Sequence, residues 1–264
     1  DIAFALGALA ILGRRVPSSL KVFVVAFAVM DDLGAITLIA VFYTTQLAVD
    51  YLLGALAVWV LLLAMNRLVR LMILWPYLLG GAVMWILMLK SGVHATLAGV
   101  LLAFAIPFSA VDEDEHSPSH RLECLLHRPV SLLILPLFAL ANTGIVIGAD
   151  WLPQLTSLNS CGIAAGLLIG KPMGVTVFCA LAVLSGICRL PLDLHWGHVF
   201  GAGVLGGIGF TMSIFIANLA FPGDVATINA SKMTILLASL LAGLLGFAWL
   251  RLVGRTKCLQ DGST

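Results

Sequence analysis

Two adjacent acids, Asp31 and Asp32, stand in the middle of an apolar run from Val22 to Phe42. A helix of that length, rising about 1.5 Å per residue, just crosses a hydrocarbon core of roughly 30 Å. The run therefore places two carboxylates near the middle of a bilayer, where each is disfavoured by at least roughly 2.5 kcal/mol. Residues in that position face a cavity, a partner charge or a transported ion. Neighbours on a helix differ in direction by about 100°, so the pair cannot point at one group. Asp31 and Asp32 are expected to have separate roles.

The same apolar pattern recurs along the chain. Segments 2–12, 22–42, 48–65, 71–89, 93–107, 130–148, 160–184, 198–221 and 231–250 are apolar. They predict an all-α polytopic membrane protein with about eight full spans and one partial span. With 61% hydrophobic and 10% charged residues, the chain falls outside the range of a soluble globular domain. Segment 2–12 is too short to cross, and it follows Asp1 with no Met and no basic leader region. The expectation is that further spans precede it in the intact protein and that Asp1 also lies at membrane depth. Cys124, Cys161, Cys179, Cys188 and Cys258 form no CxxC pair and read as packing residues. No basic cluster argues for nucleic acid.

Cytoplasmic loops are enriched in Lys and Arg, and alternate loops share a side. If the loop after segment 2–12 is cytoplasmic, that side collects Arg14, Arg15, Lys21, Arg67, Arg70, Arg121, Arg128, Arg189, Arg251, Arg255 and Lys257. The opposite side has Lys90 and Lys232, and Lys171 falls inside a span. The C-terminus is then cytoplasmic. The chain reads as one membrane domain, 1–264, divided by a polar cytoplasmic linker at 109–128 that carries the acids Asp112 to Glu115.

Two spans are unusual inside. Segment 160–184 has Gly162, Gly166, Gly170 and Gly174 at four-residue spacing, a smooth face for close helix approach, with Lys171 and Pro172 interrupting its middle. Segment 198–221 holds Gly201, Gly203, Gly206, Gly207 and Gly209 ahead of Thr211 and Ser213, and reads as an unwound stretch between two half-helices. Broken backbone at membrane depth is tolerated where it is buried in protein or lines a cavity.

Gly201, Gly203 and Gly206 match G-x-G-x-x-G with Asp224 beyond, but no soluble strand precedes them. Gly170-Lys171-Pro172 lacks both the glycine spacing and the Ser or Thr of a phosphate loop. Energy must then come from an ion gradient or another subunit. His116, His120, Cys124 and His127 have spacing that a metal could use on a helix, although Pro118 argues against one continuous helix; a solvated linker or a proton-responsive surface are the alternatives. His94, at the start of the shortest span, reads either as an interfacial polar residue or as a pH-responsive one. Asp31, Asp32 and Lys171 read either as a packing cluster or as an ion path. One lysine cannot neutralise two carboxylates, which favours the path.

The strings Asp1-Ile-Ala-Phe-Ala-Leu-Gly7, Asp31-Asp-Leu-Gly-Ala35, Lys90-Ser-Gly-Val-His-Ala-Thr-Leu-Ala-Gly99, Gly170-Lys-Pro-Met-Gly174 and Gly207-Ile-Gly-Phe-Thr-Met-Ser213 resemble the NhaA family of bacterial sodium/proton antiporters, in order over nearly the whole chain. That family is itself a type example of inverted repeats, broken helices and midplane sites. The resemblance implies a secondary transporter, not an enzyme, with no cofactor, in the bacterial inner membrane. Asp32 resembles the sodium-binding carboxylate, Asp31 the essential acid paired with the span lysine, here Lys171. Asp1 resembles the acid that compensates helix-end dipoles in the first broken helix. His94, Glu123 and His127 match positions associated with pH response, while Cys124 stands where a His is familiar. Na+, Li+ and H+ are the implied cargo, and family members can dimerise.

The chemistry beneath the resemblance is competition. Burial favours a protonated carboxylate, a nearby Lys171 cation favours the ionised one, and a hard cation prefers the same oxygens. Two rivals use the same residues. A sodium-coupled solute symporter needs a roomier polar cavity, and an intramembrane aspartyl protease needs two acids sharing a proton, for which Asp1 and Asp31, from different helices, are the candidates.

Overall fold

A computed structural model describes residues 1–13, 16–43, 47–69, 71–108, 117–145 and 151–260. The acid run Asp112 to Glu115 and His116 lie outside them. Every regular element among the described residues is helical. In chain order these are α1 Ile2–Leu12, α2 Ser18–Phe42, α3 Val49–Ala64, α4 Leu74–Ser91, α5 Thr96–Ala105, α6 Pro118–Pro129, α7 Leu135–Asn142, α8 Trp151–Leu155, α9 Leu158–Ala165, α10 Lys171–Leu184, α11 Trp196–Gly206, α12 Phe210–Ala220 and α13 Val225–Gln260.

Three π-helical turns, Met65–Val69, Val130–Ile134 and Gly166–Gly170, sit at helix junctions. The first extends α3, the second joins α6 to α7 and the third joins α9 to α10. Six helical stretches among the described residues are long and apolar enough to span a bilayer, and the bent pair α11 and α12 makes a seventh. The expected eight included 93–107, but its helix, α5, has only ten residues. At about 1.5 Å per residue α5 reaches roughly half of a hydrocarbon core.

Of the polar stretch 109–128, the described part is helical from Pro118. Ser117 accepts a hydrogen bond from the His120 N–H at 3.4 Å, and Pro118 occupies the first turn of α6. Pro is favoured there because its missing N–H has no intrahelical partner to lose. From Pro118 to Asn142 the chain runs as one candidate span. Lys232 likewise belongs inside α13, where it is 9% exposed, rather than in a loop.

The chain divides into two compact units, one made of Asp1–Asp32 with Asn142–Thr264, the other of Leu33–Ala141. In the first, Leu9, Leu20, Val24, Ala202, Leu205 and Leu250 form one apolar cluster, and Leu167, Ile214, Ala217, Ile235 and Ala238 form a second. In the other unit, α3, α4 and α5 pack through Ala55, Met84, Met88 and Ala98, and through Leu62, Tyr77 and Ala105. Trp59 Nε1 donates to the Leu101 carbonyl at 2.8 Å and Asn66 Nδ2 to that of Ala105 at 2.9 Å.

Candidate functional site

The site is built where one helix breaks. The glycines of α11 let it run very close to its neighbours: a methyl added at Gly203 would stand 3.0 Å from Pro172 Cα, and one at Gly207 2.5 Å from the Leu167 carbonyl oxygen. A methyl on Gly206 would strike the Phe27 ring. α11 ends at Gly206, α12 begins at Phe210, and the pair is bent by 47°. Of the backbone groups freed at the break, Gly209 N–H donates to Ser239 Oγ at 3.3 Å.

The N-terminus of α12 has unpaired N–H groups and the positive end of its dipole. Asp1 meets it. Its Oδ1 accepts from Thr211 N–H at 3.0 Å, and its Oδ2 accepts from the Thr211 hydroxyl at 2.9 Å. Asp1 also directly precedes α1, but its carboxylate is turned to α12 and makes no capping bond to α1.

Lys171 is delivered by the π-turn Gly166–Gly170. Pro172 lacks an N–H and would clash with a carbonyl one turn back in a regular helix; at the head of α10, after a widened turn, it is accommodated. Lys171 Nζ donates to Asp31 Oδ2 at 2.7 Å, with the two side chains 23% and 38% exposed. Asp32 takes the next direction on α2. Its carboxylate accepts no hydrogen bond among the described residues, and it feels both Asp31 and Lys171 electrostatically. Asp1, Asp31 and Asp32 all line one small cavity of about 20 Å³, closed by Val24, Phe27 and Gly206. That is room for about one water or one small cation.

The four residues expected at the centre, Asp1, Asp31, Asp32 and Lys171, therefore come together. His94, Glu123 and His127 belong to the other unit. His94 sits just before α5, while Glu123 and His127 lie on α6. Of the metal-spaced set, His120 Nε2 lies 3.6 Å from Cys124 Sγ, and His120 Nδ1 lies 3.9 Å from Glu123. Among the described residues no three His, Cys, Asp or Glu gather as a metal centre requires. Thr211 and Ser239 were not singled out as partners for the break. The signal was available, since a Thr two residues past a helix break offers an N–H and a hydroxyl to an acid.

Comparison with known proteins fixes the family. The model of the Na+/H+ antiporter 1 family matches residues 1–250. The chain belongs to that family. The Na(+)/H(+) antiporter NhaA of Dechloromonas aromatica is 67% identical over 250 residues, 95% of this chain and 64% of the relative. That of Cytophaga hutchinsonii is 57% identical over 252 residues, 96% of this chain and 64% of the relative. That of Citrobacter koseri is 50% identical over 252 residues, with 95% and 64% covered. The chain thus spans a little under two thirds of these relatives' length. Its apolar helices and its bacterial kin make this Na+/H+ antiporter family member a multi-pass bacterial membrane protein.

Proposed function

We propose that the protein, as its gene encodes it, is a secondary antiporter of the bacterial inner membrane that exchanges internal Na+ or Li+ for external H+, with its C-terminus in the cytoplasm. The observation that carries this reading is the Lys171–Asp31 ion pair at 2.7 Å, with Asp31 and its neighbour Asp32 both lining a cavity of about 20 Å³ at a broken helix. Asp32 is the cation ligand. A proton or a sodium ion occupies its oxygens, never both, and hard cations favour such oxygens over nitrogen or sulfur. Asp31 and Lys171 act together as an ion pair, and Asp1 offsets the helix end that the break exposes.

Alternating access of the site to the two membrane faces turns competition into exchange, within the inverted-repeat architecture of the family. No cofactor is required, because the ions are the cargo. His94, Glu123 and His127 adjust activity to pH, and two copies pair in the membrane. The protease reading is disfavoured by geometry: Asp1 is turned to Thr211 and Asp31 to Lys171, so they are not positioned to share a proton.

The test uses the full-length protein in everted vesicles with a pH-sensitive dye. Addition of Na+ should collapse a preformed proton gradient. Inserted protein that leaves the gradient untouched at every pH would sink the reading.

A further inference from the structure

The first half of the broken span starts on two histidines. His195 stands at the N-cap of α11 and His198 at its third position, the two places of a capping box. His198 Nδ1 accepts from the His195 N–H at 3.4 Å. The two rings stack with their centroids 3.8 Å apart, and His198 is 2% exposed. A capping box ordinarily joins Ser or Thr to Glu or Gln, none of which changes its protonation near neutrality. Imidazole does.

A nitrogen that accepts a hydrogen bond carries no hydrogen, so this cap holds His198 in its neutral form with the hydrogen on Nε2. A proton arriving on Nδ1 would aim one N–H at another and remove the bond. A second proton, on His195, would set two like charges a stacking distance apart. In the elements packed around the pair, the described charged groups are Arg189 and Asp193 in the connection before α11, Arg251 on α13 and Lys21 on α2. Cys179 and Cys188 line the cavity that Leu194 and Val199 also line, and α1 brings no titratable side chain. Added positive charge therefore finds one acid to offset it among three cations.

α11 carries the state of this end to the ion site. Trp249 Nε1 donates to the Gly197 carbonyl at 2.9 Å, and a methyl added at Gly201 would stand 2.5 Å from the Leu250 side chain. With Gly203 against Pro172 and Gly206 against Phe27, the helix is close-packed along its length. Its 11 residues span about 16 Å. Gly206, at the far end, lines the cavity of Asp31 and Asp32. Elements packed this closely shift as units.

We propose that His195 and His198 are positioning residues that form an acid-released lock on α11, and that the neutral pair holds this half of the broken span where Gly206 frames the acids. This deepens the exchange reading and rests on it. The pair is separate from His94, Glu123 and His127, which belong to the other unit. The lock is closed above the range in which imidazole gains its proton and opens as pH falls through it.

Hydrogen exchange of the full-length protein, read by mass spectrometry and corrected for the intrinsic effect of pH, tests the lock. Amides of 196–205 should lose about tenfold in protection between about pH 8 and about pH 5.5, while those of α9 keep theirs. In H195S/H198Q the new side chains supply the common, non-titrating capping box, so protection should hold at both pH values. His198→Ala, without an acceptor, should be as open at the higher pH as wild type is at the lower. The pH at which Na+-driven gradient collapse falls to half should also move down in the double variant, by about half a unit or more. If that variant fails to insert, His198→Gln alone takes its place. Wild-type protection that is equal at both pH values, or a double variant that opens in acid as wild type does, overturns the lock. An unmoved half-point overturns its role in exchange. Acid-released protection in a protein that exchanges no Na+ would remove the functional reading and keep the lock.

Discussion

The two units of this chain handle burial in opposite ways. Leu33–Ala141 is held by apolar clusters, and the side-chain bonds of Trp59 and Asn66 close on backbone carbonyls. The other unit brings three acids and a lysine to a helix break and gives two of the acids partners from other helices: Thr211 on α12 for Asp1 and Lys171 on α10 for Asp31. A membrane helix bundle can be stabilised without any charge at its centre. A charge cluster that is only partly compensated, at a helix break that frees backbone groups, is expected where ions are handled. The contrast predicts that changes in the first kind of unit cost stability and changes in the second cost exchange.

The largest effect should come from Lys171→Ala. It leaves Asp31 without its 2.7 Å partner, and exchange measured by gradient collapse should fall roughly tenfold or more, while the 38% exposure of Asp31 lets water solvate the carboxylate left behind. Thermal stability should change much less. Equal losses of both would break the contrast.

Gly207→Ala comes next. Its methyl would stand 2.5 Å from the Leu167 carbonyl oxygen, which is backbone and cannot swing aside. A destabilisation of about 1–3 kcal/mol is expected from overpacking, together with reduced exchange. Unfolding curves and transport read on the same preparation check it.

Trp59→Phe probes the apolar unit. It removes the bond to the Leu101 carbonyl, worth about 0.5–1.5 kcal/mol. A lower melting temperature with an unchanged half-saturating Na+ concentration is predicted. A shift in that concentration would tie this unit to the ion site.

The smallest effect belongs to Asp224, in the turn before α13. Its carboxylate accepts from the Thr227 hydroxyl at 2.6 Å and from the Thr227 N–H at 3.0 Å. The hydroxyl bond first, then the backbone bond, hold its pKa below the ordinary carboxylate value. A depressed folded-state pKa means that the stabilisation is fully present above the unfolded value and is lost as pH falls through the folded one. Asp224→Ala should therefore lower the melting temperature slightly at neutral pH, and the difference from wild type should vanish in acid.

Much of this site was legible in the sequence because charge at membrane depth is so costly. Asp31, Asp32 and Lys171 announce themselves by sitting in apolar runs, and the glycines around Gly206 announce a break. Which glycines are crowded was not legible. The four-residue stripe at Gly162, Gly166, Gly170 and Gly174 looked like a close-packing face, yet added methyls at Gly162, Gly166 and Gly174 would meet nothing within 4 Å among the described residues. Gly203, Gly206 and Gly207, with no regular spacing, are the ones packed against Pro172, Phe27 and Leu167. Periodicity gives the face of a helix but not what stands opposite it. Pro118 was ambiguous in a similar way: a proline reads as a break in the interior of a helix and as a start in its first turn, and the Ser117 cap decides for the start.

The central claim is that Na+ and H+ compete for the same oxygens on Asp32. Calorimetric titration of the purified full-length protein with Na+ at a series of pH values tests it directly. If binding displaces a proton, the apparent Kd should rise about tenfold per pH unit for each proton displaced once pH is below the pKa of the site, and Asp32→Asn should abolish the binding heat. A Kd that does not move with pH, or Na+ binding that survives in Asp32→Asn, would contradict the account.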